Sequence, residues 1–182
     1  MNVSMDGYLS GPSCELDWHF DFWNAEMAEY LCEKLKMADT ILFGRVTYTA
    51  MAAYWSSKGV SLSSAPQDRE FAEMAGRYNK IVFSTTLTEC CWNNTHIVNE
   101  EPSEYINSLQ LTYGGNMMVY GSAKLVQYLI EKDMIDEFHL WVHPVILGNG
   151  KLLFNNNVIQ KLQLRETKKF RNGVVTFCYT VK

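Results

Sequence analysis

The sequence predicts an α/β protein, with a mainly parallel sheet, helices on both faces and an antiparallel edge at its C-terminal end. Three observations predict it. Short apolar runs of strand length recur at TILF (40–43), KIVFS (80–84) and NMMVY (116–120). Longer segments with apolar residues three and four apart separate them. Beyond Asp136 the helical period stops, and strand-like segments follow one another with no helix between them. A chain of 182 residues is long enough for one domain with a full core, so a single domain spanning 1–182 is expected.

Taken in order, residues 20–38 place Met27, Tyr30, Leu31 and Leu35 at helical spacing. Thr40–Phe43 is too short for a helix and apolar enough for a buried strand. Residues 46–55 return to helix, 56–66 form a serine-rich loop, and Gln67–Tyr78 is a further helix. Lys80–Ser84 and the shorter His96–Val98 are strands, and Pro102–Thr112 is a helix. Asn116–Tyr120 is a strand, its Met117 and Met118 belonging to strand packing, and Ser122–Lys132 is a helix. The segments 137–147, 162–170 and 173–181 complete the chain. The last two are antiparallel partners joined by a tight turn at Arg171-Asn172-Gly173.

A formal charge of −4 argues against a nucleic-acid partner, which asks for a basic stripe. It leaves room for a small anionic ligand held by one or two placed cations. Cys14, Cys32, Cys90, Cys91 and Cys178 are odd in number and show no C-x-x-C spacing, so reduced thiols are expected. No secretory signal pattern and no apolar run of membrane-spanning length is visible, and a cytoplasmic protein is expected.

Ligands of open α/β sheets bind beyond the carboxyl ends of the strands. Three such ends carry similar chemistry: Gly44-Arg45-Val46-Thr47, Gly121-Ser122-Ala123 and Ser84-Thr85-Thr86. In the first two, a glycine closes the strand and a hydroxyl residue sits at the opening of a helix. A helix start presents unpaired N–H groups and a partial positive charge, worth about 0.3–1 kcal/mol to an anion. Glycine removes the Cβ that would keep a phosphate off the backbone. Strand–Gly–Ser–helix is also ordinary cap chemistry, but three such ends with an arginine point to a ligand. Neither the G-x-G-x-x-G fingerprint nor the Walker lysine motif is present.

Ser4-Met5-Asp6-Gly7-Tyr8, Gly44-Arg45-Val46-Thr47-Tyr48, KIVFSTTL (80–87), VYGSAKL (119–125) and DEFHLWVHPVILGNGKLLF (136–154) occur in an order and spacing that resemble one family. It is the dihydrofolate reductase-like superfamily, and within it the family named for the C-terminal reductase domain of the riboflavin-biosynthesis protein RibD. The resemblance implies a central, mostly parallel sheet of about eight strands flanked by helices. It implies NADPH as cofactor and hydride transfer to a C=N or C=O group of a small substrate, 5-amino-6-ribosylaminouracil phosphate reduction being the parent activity. Gly44, Arg45 and Thr47 would meet the phosphates on the adenosine side, and Gly121, Ser122 and Ala123 the pyrophosphate. Ser84 and Thr85 would lie near the adenosine ribose and its 2′-phosphate, and Asp6 and Leu9 by the nicotinamide and the substrate cleft. A homodimer is implied as well.

The sequence departs from the family in three ways. Relatives often carry an arginine in the segment matching Ser84-Thr85-Thr86; its absence leaves NADH open beside NADPH. The first strand is short at its start. The carboxylate that helps protonate dihydrofolate has Ala28 at the nearest position, flanked by Glu26 and Glu29, so dihydrofolate is not the expected substrate. No deaminase motif accompanies the domain. A non-catalytic module that binds or senses NADP(H) is the alternative to a reductase.

Asp6 is the candidate catalytic residue, although Asp6-Gly7 also reads as a turn. Asp17 and Trp18 are candidate substrate contacts, and read equally as a helix cap and a core anchor. His139, Trp141 and His143 share one strand face. Without a third ligand they are expected to be buried or dimer-facing and to hold no metal. Gly148-Asn149-Gly150 is a turn or a point of ligand approach.

Overall fold

The structure is a computed structural model that describes residues 1–55, 66–112, 115–154 and 159–182. The loop expected over 56–66 lies, apart from Pro66, outside the described residues. In chain order the elements begin with strands β1 (Asn2–Ser4) and β2 (Tyr8–Ser10), a 3-10 helix (Asp17–Phe22), helix α1 (Ala25–Leu35) and β3 (Thr40–Gly44). Then come α2 (Arg45–Trp55), α3 (Pro66–Arg77), β4 (Asn79–Phe83), β5 (Thr95–Val98), α4 (Pro102–Thr112) and β6 (Met117–Gly121). The remainder is α5 (Ala123–Glu131), β7 (Glu137–His143), β8 (Lys151–Leu152), β9 (Leu162–Lys169) and β10 (Val175–Val181). Two compact units result, one of residues 25–122 and one made of 1–24 with 123–182.

In the unit of residues 25–122 the ladder runs β5-β4-β3-β6, and every pairing in it is parallel. β3 is buried along its whole length, which explains its near-continuous apolar run. Ile41, Phe43 and Val82 project to one face, where they pack with Cys32 and Leu35 of α1, Tyr48 and Ala52 of α2, and Phe71, Met74 and Ala75 of α3. On the other face, Phe83 meets Tyr105 of α4 edge to face at 6.1 Å. Strand alternation thus sends successive residues to helices on opposite sides.

In the other unit the ladder runs β1-β7-β10-β9. β1 pairs parallel with β7, and β10 pairs antiparallel with both β7 and β9. β2 and β8 form a separate antiparallel pair. The parallel region and the antiparallel C-terminal edge are as expected. In place of one sheet of about eight strands, the described residues form three ladders. The turn at 171–173 closes β9 onto β10 through Gly173 N–H to the Phe170 carbonyl, with Gly173 at φ +91.

The helix expected over 20–38 is two elements. Trp23 is extended, at φ −65 and ψ 128, and it separates the 3-10 helix from α1. The segment expected to be extended to Leu147 stops at His143, since Pro144 has no N–H for the ladder. All five cysteines are free thiols, and no helix among the described residues is long and apolar enough to cross a membrane.

Candidate functional site

From β3 the chain moves outward to β4 and then β5, and it returns to place β6 on β3's other side. The carboxyl ends of β3 and β6 therefore flank the point where strand order reverses, the position at which open α/β sheets bind ligands. Gly44 ends β3 and Gly121 ends β6, and Phe43 pairs with Gly121. A Cβ on Gly44 would run into Ser122 Oγ and lie 3.0 Å from the Ser122 amide nitrogen. A Cβ on Gly121, at φ +130, would lie 2.9 Å from Thr47 Oγ1. Each glycine thus makes room for the hydroxyl residue of the other junction. The space that a Cβ would fill at each glycine is taken by the partner junction's hydroxyl residue. What the interlock does achieve is to bring Gly44, Thr47, Gly121 and Ser122 to one spot. The Gly121–Ser122 peptide is cis, and Ala123, next in the chain, opens α5.

Beside this spot a cavity of about 410 Å³ opens at the carboxyl ends of β3, β4 and β5. Small-ligand sites typically enclose about 300–1,000 Å³. Arg45, Ser84, Thr85, Thr86, Glu100 and Glu101 are among the residues that line it, with Pro102 at the start of α4. Three expected cofactor residues, Arg45, Ser84 and Thr85, are therefore brought to one cavity. The β4 loop is held by its own serine: Ser84 Oγ accepts from the amides of Thr86 at 3.2 Å and Leu87 at 2.9 Å, while its own amide donates to the Val98 carbonyl. The cavity thus joins one cation with hydroxyl and carboxylate groups.

The sequence reading missed Glu100 and Glu101. The strand-end rule finds the two glutamates once it is extended to β5, which they follow almost directly. Lys80, read only as a strand residue, is 0% exposed and donates to the carbonyls of Ala75 at 2.6 Å and Tyr78 at 2.7 Å. That is a structural role.

The other expected residues lie in the second unit. Asp6 sits in the turn between β1 and β2. Its carboxylate accepts from Ser4 Oγ at 2.6 Å, the Leu147 amide at 3.1 Å and the Gly148 amide at 2.8 Å. These bonds, the Ser4 hydroxyl first, hold its pKa down at about 2. A group so acidic stays ionised near neutrality, and its hydrogen bonds tie the turn at Asp6 to residues 147–148. The same bonds give Gly148, at φ +71, its place in a turn. Leu9 is buried within β2, its side chain part of the core.

Asp17 is exposed in the first turn of the 3-10 helix, whose N-cap is Leu16. Asp17 is thus not the cap residue. Trp18 packs edge-on against His19 at 5.1 Å and His143 at 5.3 Å. Burial pushes the pKa of both histidines down to about 4. His143 Nε2 lies 3.1 Å from Asn2 Oδ1, whereas His143 Nδ1 and Trp18 Nε1 are buried without a hydrogen-bond partner among the described residues.

His139 Nε2 is 3.0 Å from Glu137 Oε2 and 3.6 Å from Cys178 Sγ. The neighbouring strand and the residue two places back thus supply the further ligand-type groups that were not foreseen. Both contacts use the same ring nitrogen.

The family model described as the RibD C-terminal domain matches residues 1–176. An uncharacterized protein of Bacillus subtilis (strain 168), YyaP, is 31% identical over 180 residues, which cover 97% of this chain and 90% of that protein. Among solved structures, a putative riboflavin biosynthesis protein from Shewanella sp. PV-4 superposes with a TM-score of 0.75 at 19% identity, over 100% of this chain and 96% of that one. A diaminohydroxyphosphoribosylaminopyrimidine deaminase/5-amino-6-(5-phosphoribosylamino)uracil reductase from Thermotoga maritima gives a TM-score of 0.66 at 14% identity. It is matched over 100% of this chain and 55% of its own length. The two structures share the fold with this chain.

Proposed function

The chain belongs to the family of RibD C-terminal domains, and on that footing we propose that it is a reductase. It transfers a hydride from a reduced nicotinamide dinucleotide to a C=N or C=O group of a small substrate. Ribosylaminouracils of the kind named for the Thermotoga protein are the first compounds to try. NADPH is the cofactor that the family resemblance implies. The observation that carries this reading is the meeting of the β3 and β6 junctions where strand order reverses, next to the cavity that holds Arg45, Ser84 and Thr85.

When bound, the dinucleotide supplies the hydride. The protein's part is to hold and orient it. Arg45 and the N–H groups at the start of α2 attract its phosphates, and Thr47 and Ser122 offer hydroxyl donors at the same spot. Asp6 remains a carboxylate, so the proton that completes the reduction is drawn from another group or from water. A homodimer is part of the proposal, checked by light scattering on the purified chain.

Thermal unfolding with NADPH or NADH at a hundredfold over the dissociation constant should gain about 2.7 kcal/mol. That is roughly 5–10 °C for a chain of this size. Loss of the reduced-nicotinamide absorbance with a panel of imines and carbonyls should follow. No shift with either dinucleotide sinks the proposal; a shift without oxidation by any compound turns it into a binding module.

A further inference from the structure

The charges around the cavity are unequal. Among its described lining residues Arg45 is the one cation, against the two carboxylates of Glu100 and Glu101. Both glutamates stand just before Pro102 at the start of α4, where acids also complement the helix dipole, and the Glu101 carbonyl accepts from the Tyr105 amide. Both glutamates form part of the cavity wall. The loop after β4 is closed to an anion in a second way. The amides of Ser84, Thr86 and Leu87, which would otherwise donate to a phosphate, are all used within the protein, by the Val98 carbonyl and by Ser84 Oγ.

A ribose 2′-phosphate brings a charge of about −1.5 to −2 and three acceptor oxygens. It would meet one cation and two like charges, with the Ser84, Thr86 and Leu87 amides already engaged. A free ribose diol brings two hydroxyl donors, which carboxylates accept, and an acidic residue at a strand end is the general means of binding an unphosphorylated ribose. We infer that this cavity selects the dinucleotide with a free 2′-hydroxyl, NADH, over its 2′-phosphorylated form, and that Glu100 and Glu101 set the choice. The inference rests on the reading above that a dinucleotide binds here.

The test is titration of the full-length protein with NADH and with NADPH, followed by nicotinamide fluorescence at low and high salt. NADH is expected to bind about three- to tenfold more tightly at low salt, the range that one or two exposed charges produce. The gap should narrow as salt screens the repulsion. The Glu100→Gln/Glu101→Gln double variant should lose most of the gap by gaining affinity for NADPH. Tighter binding of NADPH by the wild type, or a gap in favour of NADH that widens with salt, overturns the inference and leaves the reductase reading standing. An NADH preference that the double variant keeps, with its unfolding midpoint unchanged, overturns the assignment to the two glutamates. If the double variant does not fold, the salt series on the wild type decides alone. Binding of neither dinucleotide removes the inference together with the reading on which it rests.

Discussion

Lys80 lies wholly inside the protein, with its ammonium over the Trp92 ring at 4.9 Å and its protons on the carbonyls that end α3. Burial pushes its pKa down to about 8. A buried cation is tolerated when hydrogen bonds replace its water, and here the last turn of a helix supplies them. Lys80→Met fills similar space but leaves those carbonyls unpaired. It should cost about 1–3 kcal/mol in urea unfolding, with little change at the site. Asp6 offers the opposite case, a charge favoured by its surroundings. Its pKa falls from 3.8 unfolded to about 2 folded, so its contribution is complete above pH 3.8 and disappears as the pH falls towards 2. Asp6→Asn should flatten the stability profile in that window. It should add or remove no step near neutrality in a pH–rate profile; a lost acidic limb there would make Asp6 a proton donor.

At the scale of elements, the parallel strands were the most legible part, because burial on both faces leaves an apolar run too short for a helix. β3, β4 and β6 differ from their expected bounds by at most one residue at either end. The stretch from Asp17 to Leu35 was less legible. Met27, Tyr30, Leu31 and Leu35 extend a helical period over the whole segment, and nothing in composition marks Trp23 as extended. The candidate site shows the same contrast. Glycine next to a hydroxyl at a strand end can be read locally, so Gly44, Thr47, Gly121 and Ser122 were found. That each glycine faces the other junction's hydroxyl depends on β6 pairing beside β3, a long-range fact that no local pattern holds. The loop after β4 supports a prediction of its own. Ser84→Ala removes the acceptor of two amides and should cost about 1 kcal/mol. Hydrogen exchange at Thr86 and Leu87 should quicken, while β4 itself stays protected.

For the whole molecule, the buried histidines set the acid limit. His19 and His143 have folded pKa values near 4 against 6.5 unfolded, so each is neutral in the folded protein and charges on unfolding. Their contribution is complete above about pH 6.5 and is lost as the pH falls towards 4, because the unfolded chain binds more protons in that range. Unfolding midpoints measured from pH 7 down to 4.5 should fall steadily, and His143→Gln should make the slope shallower. An unchanged slope would mean that water reaches His143 in the folded state.

The reciprocal fit of Gly44 with Ser122 and of Gly121 with Thr47 bears on how such a chain diverges. A side chain gained at position 44 collides with a hydroxyl almost eighty residues away, so drift at either place is blocked until its counterpart has shrunk. Descendants of this sequence should change those sites in matched steps, or leave all four alone.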